Sequence, residues 1–553
     1  MLAKKVKKKR RLNKMKKRLI SIVTVLLLTL SLFIGAVGCK KEKDDGRERI
    51  YFGCYEGGWG REWLDKSVAK FEQMYPQYKV EIHYAKSYDS TSLLEKIDMI
   101  DQDIFYGGLD LYTYLDQDKL MDVTDVLTTP LNEYLADSKI PVTETKTIAS
   151  KMWGDMKDYA TSYDGKYYNV PFGGGFYSLN YDVDLFNSKQ LFLDKDGNWC
   201  NLSGNLSIGQ DGVEGTYDDG LPVTYSEFLK LLERMKKRNV IPFTWSSVNG
   251  YTQHFLHACA VAQDGVDAFN TFKNMDGEYT FEGDSAPTKI TPANAYLLRN
   301  SIGKKDALQF AYDICKKGYY DSQAGGGSMD YLTAQDTYLM SIENSKTQNG
   351  VYPIAFFVDG GHWHNEAKVS LEMMAEMSDD YKNRKFGVMP FPWFDNALAI
   401  KSTFFMSSPN SSLHIKKSAK QKEGAKKLLA YLNSDEALAV CTSTCGNIRF
   451  MNYEMTDAQI KSMPYYYQTA WQASKMGDVC YNLCDNPYIF KNYAYFDEMG
   501  WEWSCTTSDG KTLNNPLNHF KDKEMSSLTV KDYLTALLNT GKEDWKKIYS
   551  GNN

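Results

Sequence analysis

The chain has 553 residues, 65 basic against 70 acidic side chains, and a hydrophobic share of 43%. Eleven basic residues and no acid fall in the first 38 positions, so the remainder carries 54 basic against 70 acidic residues, a net charge of −16. That balance argues against nucleic acid and against polyanions held by bulk charge, and the length exceeds one hydrophobic core, so two or more domains are expected.

The N-terminus opens with a Lys- and Arg-rich stretch from Lys4 to Arg18, followed by the apolar run Ile20–Ile34 and then Gly35-Ala36-Val37-Gly38-Cys39. A basic region, an apolar region and small residues before a cut form a secretory signal. Met15 offers a second start, since MKKRLISIV reads as a complete signal. The Ala-Val-Gly-Cys end resembles the lipobox of bacterial lipoproteins, with Ala36 where leucine is usual. It implies cleavage before Cys39 and lipidation of that thiol (palmitate among the acyl groups), which holds the protein on the extracellular face of the cell membrane. A retained anchor is the alternative, because Leu19–Val37 is long enough to span a bilayer, but no basic stop follows it. Residues 39–48 (CKKEKDDGRE) hold nothing to bury and read as a solvated tether.

Arg49–Cys54 is a short strand that runs into the Gly-rich turn Glu56-Gly57-Gly58-Trp59-Gly60. Leu64, Val68, Phe71 and Tyr75 then fall at helical spacing until Pro76 stops them. Lys79–Tyr84 alternates as a strand, a helix is expected over Thr91–Met99, and Asp103–Tyr106 is a third strand. This strand–helix–strand–helix–strand order predicts a parallel sheet covered by helices, with ligands at the carboxyl ends of its strands. Those ends are the Tyr55–Gly60 loop and Tyr106-Gly107-Gly108. Further helical faces are marked by the capping box Thr224-x-x-Glu227, by Ala307, Phe310, Ala311 and Ile314, by Ala425, Leu428, Leu429 and Leu432, and by Val530, Tyr533, Leu534 and Leu537 after Thr529. The Gly- and Asp-rich stretch 194–220 reads as a surface insertion.

Together these segments resemble a known family. GGWGREWLDKSVAKFEQMYPQYKVEI, DIFYGG and KLMDVTDVL resemble the first lobe of bacterial extracellular solute-binding proteins of family 1, the maltose-binding-protein-like receptors of ABC importers. Tyr163–Asn187 resembles the crossing to the second lobe, FFVDGGHWHNEA (Phe356–Ala367) a Gly-Gly turn that presents a Trp to the cleft, and Phe386–Pro392 with Ser411–Ser434 the return. Cys445-Gly446-Asn447-Ile448 departs from the expected turn. The resemblance implies an α/β, two-lobe, periplasmic-binding-protein-like clamshell, each lobe a mainly parallel sheet flanked by helices and joined by a hinge. The N-terminal lobe then comprises 49–171 and 400–445, and the C-terminal lobe 172–399 and 446–553 with the 194–220 insertion. It implies a monomeric receptor that captures an oligosaccharide by cleft closure and delivers it to ABC permease subunits, with no cofactor required. A ligand-binding lipoprotein serving a sensor kinase is an alternative that shares the same binding physics, and a cell-surface glycoside hydrolase is a second. No G-x-S-x-G, H-E-x-x-H, P-loop or dinucleotide fingerprint stands in a supporting context.

Aromatic rings stack on the apolar faces of sugars while polar groups read the hydroxyls, and this chain is 14% aromatic, with 39 Tyr and 11 Trp. By position, Trp59, Trp245 and Trp363 are the leading stacking candidates, with Phe172 and Tyr177 at the crossing behind them, then Trp393 and Trp153. Glu56, Asp359, His362 and Glu366 are the candidate hydroxyl readers, and Glu366 serves equally as a cap for the helix after its turn. His254 and His257 share a helix, which suits a structural role better than a metal pair. Asp211, Glu214, Asp218 and Asp219 put hard oxygens in a Gly-rich loop and make a candidate site for structural Ca²⁺, against the alternative of a solvated acidic turn. The nine cysteines after Cys39 are too sparse for a disulfide scaffold.

Overall fold

The structure is a computed structural model that describes residues 45–86, 90–154, 156–395, 402–407, 411–481 and 503–550. Cys39, most of its tether and Cys484 lie outside the described residues. The chain divides into two compact units, Met1–Glu48 and Arg49–Asn553, and of the first only 45–48 are described.

Three sheets organise the main unit. Their strands are β1 (Glu48–Tyr55), β2 (Tyr78–Ala85), β3 (Ile104–Gly107), β4 (Asn169–Gly173), β5 (Phe176–Tyr177) and β6 (Leu179–Asp182). They continue as β7 (Ile241–Trp245), β8 (Ile354–Val358), β9 (Phe386–Met389), β10 (Thr403–Met406), β11 (Ser411–Ile415) and β12 (Asp478–Tyr481). The first sheet has the order β2-β1-β3-β11-β4, the second β9-β6-β8-β7, and the small third sheet β12-β10-β5.

The expected strand–helix–strand–helix–strand opening is present, with β1 and β3 paired in parallel. Both large sheets are nevertheless mixed rather than mainly parallel. β11 runs antiparallel to β3 and β4, and β6 runs antiparallel to β8 and β9, while β7 and β8 are parallel. The chain's route explains this. It leaves the first sheet at β4, passes through β5 into β6, and returns from β9 through β10 to β11. A strand that arrives from another sheet has no crossover helix to turn it parallel to its neighbours.

Local chemistry sets the helices where the pattern placed them. In Glu62–Met74, Trp63, Leu64, Val68, Phe71 and Met74 are buried, Glu62 and Asp65 occupy the first turn, and the helix ends one residue before Tyr75-Pro76; acids near an N-terminus favour its dipole. Thr224 and Glu227 form the reciprocal capping box on Tyr225–Lys237. The helix Lys422–Leu432 buries Ala425, Leu428, Leu429 and Leu432.

The strand β8 contributes to two separate core clusters. Ile354 and Phe357 of β8 join the cluster that contains Ile50, Phe52, Ile104 and Leu413. Ala355, Phe356 and Val358 of the same strand build a second cluster with Phe228, Phe243 and Phe310. The eight described cysteines after the tether are all free thiols, and every one but Cys200 is buried.

Candidate ligand cleft

Two Gly-rich turns meet at the carboxyl ends of β1 and β8. The first, Glu56–Gly60, turns through left-handed backbone at Gly57 (φ 46°) and Gly60 (φ 68°), conformations open to glycine at little steric cost. The second, Asp359-Gly360-Gly361-His362, leads into the short helix Trp363–Glu366. Asn365 Nδ2 donates to the Gly58 carbonyl at 2.8 Å. A Cβ on Gly58 would stand 2.6 Å from Glu366 Oε1 and 2.9 Å from His362 Cδ2, so only glycine permits this approach. The Trp59 ring meets His362 edge-on with centroids 5.8 Å apart. Tyr251 lies beyond, its hydroxyl 3.4 Å from His362 Nε2, and the Tyr177 ring lies 4.8 Å from that of His254.

The acids around this junction divide sharply. Glu56 sits between two cations, Arg61 at 3.1 Å and Lys86 at 3.1 Å, and the hydrogen bond from Arg61 holds its carboxyl below the usual range. Asp359 is 3% exposed. It accepts the Gly360 N–H at 2.7 Å, and its nearest ionisable partner is His362 at 3.7 Å. Burial, with Glu366 nearby, pushes the Asp359 carboxyl well up, burial alone pushes Glu366 up to about 7, and burial lowers His362 to about 4. A desolvated acid is forced toward its neutral form when no cation offsets its charge.

The junction gathers Trp59, Glu56, Asp359, His362, Glu366 and Tyr177. Three aromatic candidates are placed elsewhere. Trp363 is fully buried among Tyr338, Phe357, Phe386 and Tyr466, so its ring has no face left for a ligand. Trp245, also fully buried, donates to Asn518 Oδ1 at 3.0 Å. Phe172 lies beneath the Arg449 guanidinium, 3.0 Å from ring centroid to Cζ, and against Trp63. Of the lower-ranked pair, Trp153, as buried as Trp59, bonds through its backbone to Phe450, and Trp393 pairs through its backbone with Val223 and Tyr225. Sequence reasoning missed Tyr251, which stands in the first turn of the helix Asn249–Asp264. His254, one turn further on, belongs beside Tyr177 rather than in a metal pair, and His257 stacks on Trp503.

In the acidic loop the carboxylates close turns. Asp218 accepts from the backbone N–H of Gln210 at 2.7 Å and of Asp211 at 3.1 Å. Asp219 accepts from Gly215 at 2.7 Å, Asp211 from Val213 at 2.7 Å, and Glu214 faces Lys195 at 3.4 Å. Burial and the neighbouring Asp211 push Asp218 up to about 6. Among the described residues no three His, Cys, Asp or Glu side chains form a group able to hold a metal. Two buried carboxylate oxygens, Asp211 Oδ2 and Asp219 Oδ1, have no hydrogen-bond partner.

A separate groove of about 780 Å³ runs along Glu62, Lys66, Lys368, Arg384 and Tyr465. Its charges are largely spent on one another: Glu62 pairs with Lys66 at 2.8 Å and with Lys368 at 2.7 Å, and Arg384 pairs with buried Asp182. The junction of the two turns, at strand carboxyl ends and with acids that no Lys or Arg pairs among the described residues, is the better candidate for a ligand site.

A family profile described as bacterial extracellular solute-binding protein matches residues 66–465. The chain belongs to that family. Comparison with curated proteins gives no sequence match. In three dimensions this solute-binding protein is similar to the sugar-binding protein MalE from the phytopathogen Xanthomonas citri, with a TM-score of 0.51 and 16% identity over 92% of this chain and 100% of that one. It is similar also to RafE in complex with raffinose, with a TM-score of 0.50 and 14% identity over 90% and 100% of the two chains. The apo-form of RafE, from Streptococcus pneumoniae, gives a TM-score of 0.50 and 14% identity over 90% and 98%. These likenesses establish the fold, the two-lobe α/β architecture of such proteins. The family is one of extracellular binding proteins rather than enzymes. Among the described residues no helix is long and apolar enough to cross a membrane.

Proposed function

We propose that this protein captures an oligosaccharide between the Glu56–Gly60 and Asp359–Glu366 turns and delivers it to an ABC permease, tethered to the extracellular membrane face through a lipid on Cys39. The observation that carries the reading is the junction itself. Aromatic side chains (Trp59, Tyr177 of the small sheet, Tyr251 of the helix Asn249–Asp264) and hydrogen-bonding groups (Asp359, His362, Glu366) meet at the carboxyl ends of β1 and β8 of the two large sheets. Stacking and hydroxyl recognition need that mixture, and turns carried on different sheets can part to admit a ligand and close over it. The two solved relatives named for sugar binding and for raffinose support the choice of ligand class. A tether raises the receptor's effective concentration at its permease.

Calorimetry against neutral oligosaccharides, raffinose among them, tests the reading. Binding weakened at least tenfold in Trp59→Ala and unchanged in Trp199→Ala supports it, because Trp199 lies on a separate hairpin against Arg234. Release of cleaved sugar on prolonged incubation overturns it in favour of an enzyme. For the anchor, Cys39→Ser is expected to send the protein from the membrane fraction into the medium.

A structural Ca²⁺ in the acidic loop is a second proposal, supported by the two unpartnered oxygens of Asp211 and Asp219. With loop carbonyls they would supply hard oxygens of the kind the ion takes, and the ion would neutralise the Asp211 and Asp219 carboxylates. Removal by a chelator is expected to lower Tm by a few degrees, with recovery in Ca²⁺ but not in Mg²⁺; an unchanged Tm removes the site.

A further inference from the structure

The solute-binding family leaves the ligand's charge open, but the cleft's own charges do not. At the first turn the protein supplies counter-charges for its acid: Glu56 receives Arg61 and Lys86, each at 3.1 Å. At the second turn it supplies none among the described residues. Among these, neither Asp359 nor Glu366 forms an ion pair with Lys or Arg, and besides the Gly360 N–H at 2.7 Å the one ionisable partner within 4 Å of Asp359 is His362, at 3.7 Å. Asp359 is nearly sealed at 3% exposure, and Glu366 points at the Gly58 backbone without a donor of its own.

A buried carboxylate without a cation costs several kcal/mol unless it is neutralised. A purely structural acid at these positions would be served as well by an amide, which hydrogen-bonds without a charge to desolvate. The ring faces nearby add to the argument, because Trp and Tyr attract cations through their π-clouds. Trp59 and Tyr251 flank His362 with ring centroids 5.8 and 5.7 Å away, and Tyr177 lies on the Asp359 side, close enough for that acid to raise its hydroxyl pKa. Burial holds His362 neutral at physiological pH, so it adds no positive charge to compete.

Resting on the receptor reading above, we propose that the cleft selects a carbohydrate bearing a protonated amine, with the ammonium received between Asp359 and Glu366 and flanked by Tyr177, Tyr251 and Trp59. The site then lacks its own cation because the ligand brings one. A neutral sugar would leave both acids to take up protons instead, and an acidic sugar would meet like charge.

Three disaccharides with a common backbone isolate the effect: the glucosamine dimer, cellobiose and the N-acetylglucosamine dimer, which differ only in the substituent at C2. Calorimetry on the whole protein is expected to show the free-amine dimer binding at least tenfold more tightly than either neutral analogue. Glu366→Gln is expected to bring the ratio of amine to neutral affinity toward one, whatever it does to affinity overall, and Asp359→Asn to act in the same direction. Glu366→Gln keeps the test decisive should the buried Asp359 variant fold poorly. Equal or tighter binding of a neutral sugar, or an amine preference that survives Glu366→Gln, overturns the inference and leaves the receptor reading standing. Failure of every sugar to bind, raffinose and the neutral panel included, overturns both.

Discussion

The two Gly-Trp turns of this protein are alike in sequence and opposite in use. Each follows a central strand, each carries two or more glycines, and each puts an indole beside them. In the first, Trp59 precedes Gly60 and the helix starts only at Glu62, so the indole stays on the turn and meets the facing loop. In the second, Trp363 is itself the first residue of the helix, and the helical backbone swings it beneath β8 into a cage of four aromatic rings. The position of the ring relative to the helix start decides whether a Trp faces the opposite turn, as Trp59 faces His362, or is enclosed by rings, as Trp363 is.

Both rings are buried, Trp59 at 7% exposure and Trp363 fully, and the larger effect of replacement belongs to the one enclosed on all sides. Trp363→Ala removes a ring packed 5.2–5.7 Å from Tyr338, Phe357, Phe386 and Tyr466. It is expected to cost about 3–5 kcal/mol of stability, seen as a large fall in the denaturation midpoint with binding lost only as the fold is lost. If Trp363→Ala instead melts like the parent and loses affinity alone, the distinction between the turns collapses. Next comes Gly58→Ala. Its methyl would push against Glu366 and His362 at under 3 Å, which should hold the turns apart. Ligand affinity is expected to fall about tenfold, roughly 1.4 kcal/mol, with Tm shifted little. An unchanged affinity would mean that the turns need not meet for binding.

Much of the fold was legible because its signals are local. The helix stop at Pro76, the Thr224–Glu227 box and the apolar faces of the helices depend on residues within one or two turns of each other. The two Gly turns were legible too, since glycines after a strand mark a tight approach. What the sequence hid was set by distant partners. Trp245 ends a strand, as expected for a cleft residue, but Asn518, 273 positions away, closes over it. Phe172 is at the crossing as foreseen, yet Arg449 arrives from 277 positions away to cover it and bond its carbonyl. The mixed sheets share that cause, because strand direction follows from where the chain has been rather than from the strand's own residues. Tyr251 had no motif to mark it, and Asn365 stood unremarked within the Phe356–Ala367 segment; only the meeting of the turns gives them a role.

The smallest expected effect concerns the glutamates of the same two turns, whose proton affinities are displaced in opposite directions. Arg61 holds the Glu56 carboxyl low, so its contribution is present above the pKa of an unfolded glutamate and fades as pH falls below it. Burial raises Glu366 to about 7, so between about pH 4.5 and 7 the folded chain keeps a proton that the unfolded chain has released. Stability from that group therefore declines as pH rises through the window and is spent above about 7. Buried His254, His362, His364 and His414, each lowered to about 4, pull the other way as pH falls below about 6.5, which masks the trend in the parent protein alone. Comparison with variants removes the mask. Relative to the parent, Glu366→Gln should gain Tm from about pH 4.5 to 7, by an amount on the order of 1 kcal/mol given the partial solvation of the carboxylate. Glu56→Gln should lie below the parent in Tm across that whole range, the gap closing only as pH falls below about 4.5. Two difference curves of the same sign would mean that the turns share one electrostatic environment, and the case for a ligand-borne cation at Glu366 would go with them.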